Sequence, residues 1–160
     1  IKPQRERFAI GELIQDVAQK FDLPVATRHL QLHLDVTGPL PLVNADLSMI
    51  ERVVTNLLDN AIRHTPDGGE VRLKVWRDED RLLAEVQDSG PGVEEAVREV
   101  LFQRPTALIP REQRAERGGL GLLIVRRMLE LHGGDIHLVS STAGACFRFS
   151  LPLADSPLSS

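Results

Sequence analysis

Two carboxamides, Asn56 and Asn60, stand four residues apart in this chain, and His64 continues the row by another four. In a helix that spacing puts all three on one face. Asparagine is a poor helix former, so a pair of them in an apolar helical stretch asks for a reason. A neutral amide oxygen at the border of an apolar stripe suits a hard cation such as magnesium, which arrives already carrying phosphate oxygens and water. The plainer reading is that both amides bond to nearby backbone. That reading fits one asparagine alone better than it fits a pair followed by Arg63 and His64.

Two further segments carry chemistry. Asp88-Ser89-Gly90-Pro91-Gly92 leaves the end of a hydrophobic run. A carboxylate above a glycine floor can accept a hydrogen bond from an exocyclic amine such as that of adenine, although an ordinary Asp-Ser-Gly turn has the same composition. Arg117-Gly118-Gly119-Leu120-Gly121-Leu122 opens a helical stretch. Free N–H groups at such a start, together with the helix dipole, suit a phosphate. The segment is neither a Walker A loop, which needs Lys-Ser or Lys-Thr after its last glycine, nor a dinucleotide fingerprint.

These segments need elements to position them. Met49, Ile50, Val53, Val54, Leu57, Leu58 and Ala61 recur at threes and fours, which predicts a helix from Leu47 to about His64, with Asp46 as N-cap and Pro66 as the stop. Helical spacing also predicts helices over 10–21 and 120–132, the latter ending at Gly133-Gly134, and a short helix over 93–102. Alternation predicts strands over 29–36, 70–77, 82–88, 135–141 and 145–152. Residues 103–117 carry four arginines, two prolines and no period, and read as a long loop. Helices and strands mix without strict βαβ alternation, so the expected fold is α+β: a two-layer sandwich with three main helices on one face of a mixed, mostly antiparallel sheet of about five strands.

Composition bounds the function. The 160 residues are 42% hydrophobic, enough for one domain with a substantial core. A net charge of −4 argues against a nucleic-acid-binding surface. Cys146 is the only cysteine, so an internal disulfide or a thiolate zinc site is excluded, and it reads as a small core residue of a protein in a reducing compartment. No run of about 18 apolar residues suggests a membrane span, and residues 154–160 read as a frayed tail.

In this order, an Asn-bearing helix, an Asp-Gly-Gly strand end, a long loop and a Gly-rich helix start, the chain resembles the ATP-binding catalytic domain of bacterial two-component sensor histidine kinases. That domain has the Bergerat fold of the superfamily containing gyrase, mismatch-repair ATPases and heat-shock chaperones. The eleven residues from Asn56 to Pro66 follow the kinase pattern position by position. The resemblance implies a catalytic domain over 1–153 with a lid at 103–118. ATP and magnesium would be the ligands, with Asn60 holding the metal and Asn56 touching the phosphates or the metal's water. Arg63 would lie near the phosphates and His64 beside the nucleotide, Arg63 and the two asparagines forming the catalytic set. Asp88 would accept the adenine amine over Gly90 and Gly92. Gly119, Leu120, Gly121 and Leu122 would line the phosphates, Phe102 would root the lid, and Gly144 and Phe147 would close the adenine side.

The lid departs from the family pattern: Arg117 replaces the first hinge glycine, and Pro105-Thr106 stand where a second aromatic is usual. Ala145-Cys146 also lack the hydroxyls common near adenine. Arg104, Arg111, Arg114 and Arg117 suggest that one lid guanidinium pairs with the γ-phosphate, against the plainer reading of a solvated polar loop. None of the five histidines has the setting of a phosphoacceptor. His29, His33, His132 and His137 read as structural or surface residues, His132 in the final turn of a helix where a positive ring would suit the dipole. The acceptor is therefore expected on a separate dimerisation domain. The expected partners are that domain and a response regulator, with this domain monomeric, its parent homodimeric and its location cytoplasmic. A nucleotide-sensing module without phosphotransfer is the alternative. A gyrase-type clamp is disfavoured because Asn56 stands where its glutamate base would be.

Overall fold

A computed structural model describes residues 2–92, 119–139 and 144–153. In chain order the elements are β1 (Arg5–Phe8), α1 (Ile10–Gln19), α2 (Asp22–Thr27), β2 (Gln31–Val36), β3 (Val43–Asp46), α3 (Leu47–His64), β4 (Glu70–Asp78), β5 (Arg81–Asp88), α4 (Gly119–Glu130), β6 (Asp135–Val139) and β7 (Cys146–Pro152). Five strands form one sheet in the order β2-β4-β5-β7-β6, parallel between β2 and β4 and antiparallel elsewhere. β1 and β3 make a separate antiparallel pair. The mixed, mostly antiparallel five-stranded sheet with its helices is the expected architecture.

Strand alternation builds the two layers. Val71, Leu73 and Val75 of β4, Leu82, Ala84 and Val86 of β5, and Phe147, Phe149 and Leu151 of β7 are buried on one face. Against them pack Ile10, Ile14 and Val17 of α1, the apolar stripe of α3 from Ile50 to Ala61, and Leu122, Val125 and Leu129 of α4. The other face is polar. Asp35, Lys74, Glu85, Arg148 and His137 stand in register across all five strands, so charge alternates from β2 to β7. Arg148 donates from Nε to Glu85 at 2.7 Å and lies over the Trp76 ring, 5.5 Å from its centroid. Cys146 shares this face rather than the core: it is buried among those charges, and burial pushes its thiol up to about 11.

The helix expected over 10–21 stops at Gln19, and a separate short helix, α2, follows. Pro24 is its third residue, where the missing N–H has no helical partner to lose. β1 and β3 carry no alternation signal because they are only four residues each. The strand expected from residue 29 begins at Gln31, since His29 turns with φ at 55°. β2 is an edge strand, and its apolar row fades from Leu30, buried, to Leu34 and Val36, about two-fifths exposed. The helix expected over 93–102 and the loop at 103–117 lie outside the described residues. No helix among the described residues is long and apolar enough to cross a membrane.

Candidate functional site

α3 spans Leu47–His64, with Asp46 capping it by accepting from Met49 N at 3.1 Å and Thr65 ending it. Its asparagines flank the buried stripe as the spacing predicts, Asn56 half-buried and Asn60 only 5% exposed. Among the described residues Asn60 Oδ1 is the one buried side-chain polar atom without a hydrogen-bond partner. A buried carbonyl in that condition costs roughly 1–3 kcal/mol, so its retention points to a ligand that supplies the missing partner. An oxygen of this type fits magnesium. No group of three or more His, Cys, Asp or Glu side chains suited to a metal occurs among the described residues. The remaining ligands of an ion at Asn60 would then be expected from phosphate and water.

Asp88 enters from the sheet. It ends β5 and has the same parity as Leu82, Ala84 and Val86, so the two-residue repeat turns its carboxylate toward the helix layer. It is 4% exposed. Oδ1 accepts from Gly90 N at 2.8 Å and Ala145 N at 3.1 Å, and the Asp88 N–H donates to Ala145 O at 2.9 Å. Both of these carboxylate bonds fall on Oδ1, and the other oxygen, Oδ2, is of a type that can accept from an amine.

Glycines let the backbone close around that carboxylate. A Cβ on Gly90 would collide with the carbonyl oxygen of His64, so the turn after β5 rests directly on the last turn of α3. Gly144 has φ at 68°, and a Cβ there would sit 2.6 Å from Asp88 Oδ1. Gly92 backs onto Gly144: its Cβ would lie 3.3 Å from Gly144 O. At the other end, a Cβ on Gly121 would stand 3.9 Å from Asn56 Nδ2, so the start of α4 lies over the first asparagine.

These contacts make one line along α3: Gly121 beside Asn56, then Asn60, then His64 beneath Gly90, and finally Asp88 with Gly144. From Asn56 to His64 the helix rises about 12 Å at 1.5 Å per residue, the scale of a nucleoside triphosphate laid along it. The other candidates take different places. Arg63 is exposed and pairs with Asp59 one turn away, Nε to Oδ2 at 3.2 Å. Leu122 and Phe147 are buried in the core, so only their backbone is available to a ligand. Gly119 and Leu120 form the first turn of α4. Phe102 and the four lid arginines lie outside the described residues.

His132 is a structural residue as expected, but without the positive ring in a helix's last turn. It lies beyond the end of α4 and is 2% exposed. Nε2 accepts from Asp46 N at 3.0 Å while Nδ1 donates to Met128 O at 2.7 Å, the bonding pattern of a neutral imidazole. The sequence reading also passed over Arg28, whose partners are 34 to 39 residues away and leave no local pattern.

A nucleotide-sized line with a buried carboxylate at one end and an unpartnered amide oxygen in its middle fits one class of protein. The chain belongs to the histidine kinase-, DNA gyrase B- and HSP90-like ATPase family, whose model matches residues 45–155. Within it the chain is an ATP-binding catalytic domain of the sensor histidine kinase type. It is 36% identical over 146 residues to the adaptive-response sensory kinase SasA of Synechococcus sp. strain JA-3-3Ab, covering 90% of this chain and 38% of that protein. Against SasA of Crocosphaera subtropica it is 35% identical over 152 residues, 94% of this chain and 39% of that one. The chain thus spans under two-fifths of these curated relatives. Among solved structures, the catalytic domain of the histidine kinase ThkA superposes with a TM-score of 0.84 at 26% identity, covering 94% of this chain and 98% of that one. Full-length ShkA in complex with AMPPNP superposes at 0.82 and 26% identity, covering 98% of this chain and 32% of that one.

Proposed function

We propose that this domain binds Mg-ATP along α3 and directs its γ-phosphoryl group to a histidine on a separate dimerisation domain of the same protein, from which a response regulator takes it. Asn60 carries the reading: its buried, unpartnered oxygen lies on the same helix line that ends at the Asp88 carboxylate. The AMPPNP complex of ShkA supports the choice of nucleotide. The SasA relatives support the choice of reaction. Their greater length leaves room for the acceptor domain, and the parent protein is then a homodimer working on the cytoplasmic side.

Asp88 Oδ2 accepts the adenine amine while Gly90, Gly92 and Gly144 hold the carboxylate in place. Asn60 Oδ1, with Asn56 beside it, would hold a magnesium ion, whose charge would offset that of the phosphates. Backbone N–H groups from Gly119 to Leu122 face the phosphates, and Arg63 stands near enough in sequence to join them. In the transfer, a nitrogen–phosphorus bond to the acceptor imidazole forms as the bond to the β–γ bridging oxygen breaks. ADP departs with the electron pair, and the imidazole releases its proton. Such a transfer is mostly positioning and charge neutralisation.

The test is the full-length parent with γ-labelled ATP. An acid-labile label on a histidine, lost in Asn60→Ala, is the expected result. Nucleotide binding without any label would make the domain a sensor rather than a kinase.

A further inference from the structure

We infer that Arg28 is a positioning residue for the nucleotide floor, acting from outside the site through the exit of α3. It follows α2 directly and is about a quarter exposed. Its guanidinium donates from Nε to Asp67 Oδ1 at 2.8 Å, from Nη1 to Ile62 O at 2.6 Å and from Nη2 to Thr65 O. Its own carbonyl accepts from Gly68 N at 3.0 Å. One residue therefore binds four points around the turn that leads from α3 to β4.

That turn is where a helix has unmatched carbonyls and a negative dipole end, and a planar fork of donors answers both. The Asp88 loop leans on the same turn from two sides. Gly90 lies against His64 O and donates to Asp88 Oδ1, so the carboxylate takes its position from the last turn of α3. Gly69 packs on Thr65 and Ser89, and Ser89 exchanges hydrogen bonds with Glu70, donating from N to Glu70 O at 3.1 Å and accepting from Glu70 N at 2.9 Å. Removing the fork lets the exit turn and the carboxylate shift together, though Arg28 touches neither base nor phosphate. A displacement of this kind is costly because recognition of the base depends on one carboxylate oxygen.

The inference rests on the nucleotide reading of Asp88, and calorimetry on the folded chain separates the two. The native protein should bind adenosine, ADP and Mg-ATP. Arg28→Ala should weaken all three by the same factor, roughly tenfold, with the magnesium dependence of ATP binding unchanged. Arg28→Lys restores the charge without the fork. It should recover most of the thermal stability and little of the affinity. Asp67→Asn, at an exposed position that disturbs the fold little, should give a smaller loss of the same uniform kind, and it stands in should Arg28→Ala not fold. Native affinity in these variants, full rescue by lysine, or a loss confined to Mg-ATP would each overturn the role of Arg28. Failure of the native protein to bind any of these three ligands would overturn the reading of Asp88, and the inference with it.

Discussion

Asn60 is held in a condition that stability alone does not favour. Its Oδ1 is buried without a partner, on a residue type that is a weak helix former. Replacing it by leucine removes the orphaned oxygen and improves helix propensity, so Asn60→Leu should leave thermal stability unchanged or raise it by about 1 kcal/mol, a few degrees. The same change should abolish the magnesium-dependent part of ATP affinity. Paired melting curves and titrations with and without magnesium decide it: a destabilised variant, or one that keeps its magnesium dependence, would refute the assignment. The row of Asn56, Asn60 and His64 was legible in the sequence because helical spacing is local. The cradle around Asp88 was legible only as a motif, since Gly144 and Ala145 reach it from 56 and 57 residues away and only the folded sheet shows that contact.

At the scale of elements, α3 was readable end to end. Its stripe, its Asp46 cap and its stop before Pro66 are all encoded within a few residues, and the helix runs Leu47–His64 as expected. What fastens those ends was not readable. At the start, Asp46 Oδ2 accepts from Gln4 N at 2.9 Å while the Asp46 N–H donates to His132, tying together the residue before β1, the cap of α3 and the turn after α4. The hydrogen bond from Gln4 is the main influence on Asp46; it outweighs burial and, with the one from Met49, holds the carboxyl below its ordinary value of 3.8. Because the folded value is depressed, the stabilisation is full above 3.8 and disappears as the pH falls through the folded value. Asp46→Asn keeps a cap oxygen for Met49 but turns an amide donor toward Gln4. It should cost about 1 kcal/mol at neutral pH, with the gap to the native protein closing in acid. Denaturant midpoints measured down the pH scale check this, and a gap that ignores pH would contradict it.

Across the whole molecule, the layer arrangement followed from periodicity, while the parallel pairing of β2 with β4 did not. Edge strands with a half-exposed apolar row give a weak signal, and direction of pairing has no local signature at all. That pairing makes α3 the connection between two neighbouring strands: the chain leaves β2, passes through β3 and α3, and returns alongside β2 as β4. The helix carrying the row from Asn56 to His64 therefore cannot take its final seat until strands some 39 residues apart have met, as Gln31 meets Glu70. Closing so long a loop delays the contacts that reward it, which slows assembly relative to helical bundles. After dilution from denaturant, the ability to capture a fluorescent ATP analogue should emerge only with the last kinetic phase seen by Trp76, which lies in β4. Capture preceding that phase would show that the groove matures without its sheet. A newly made copy would accordingly be blind to nucleotide until the slowest step of folding is over.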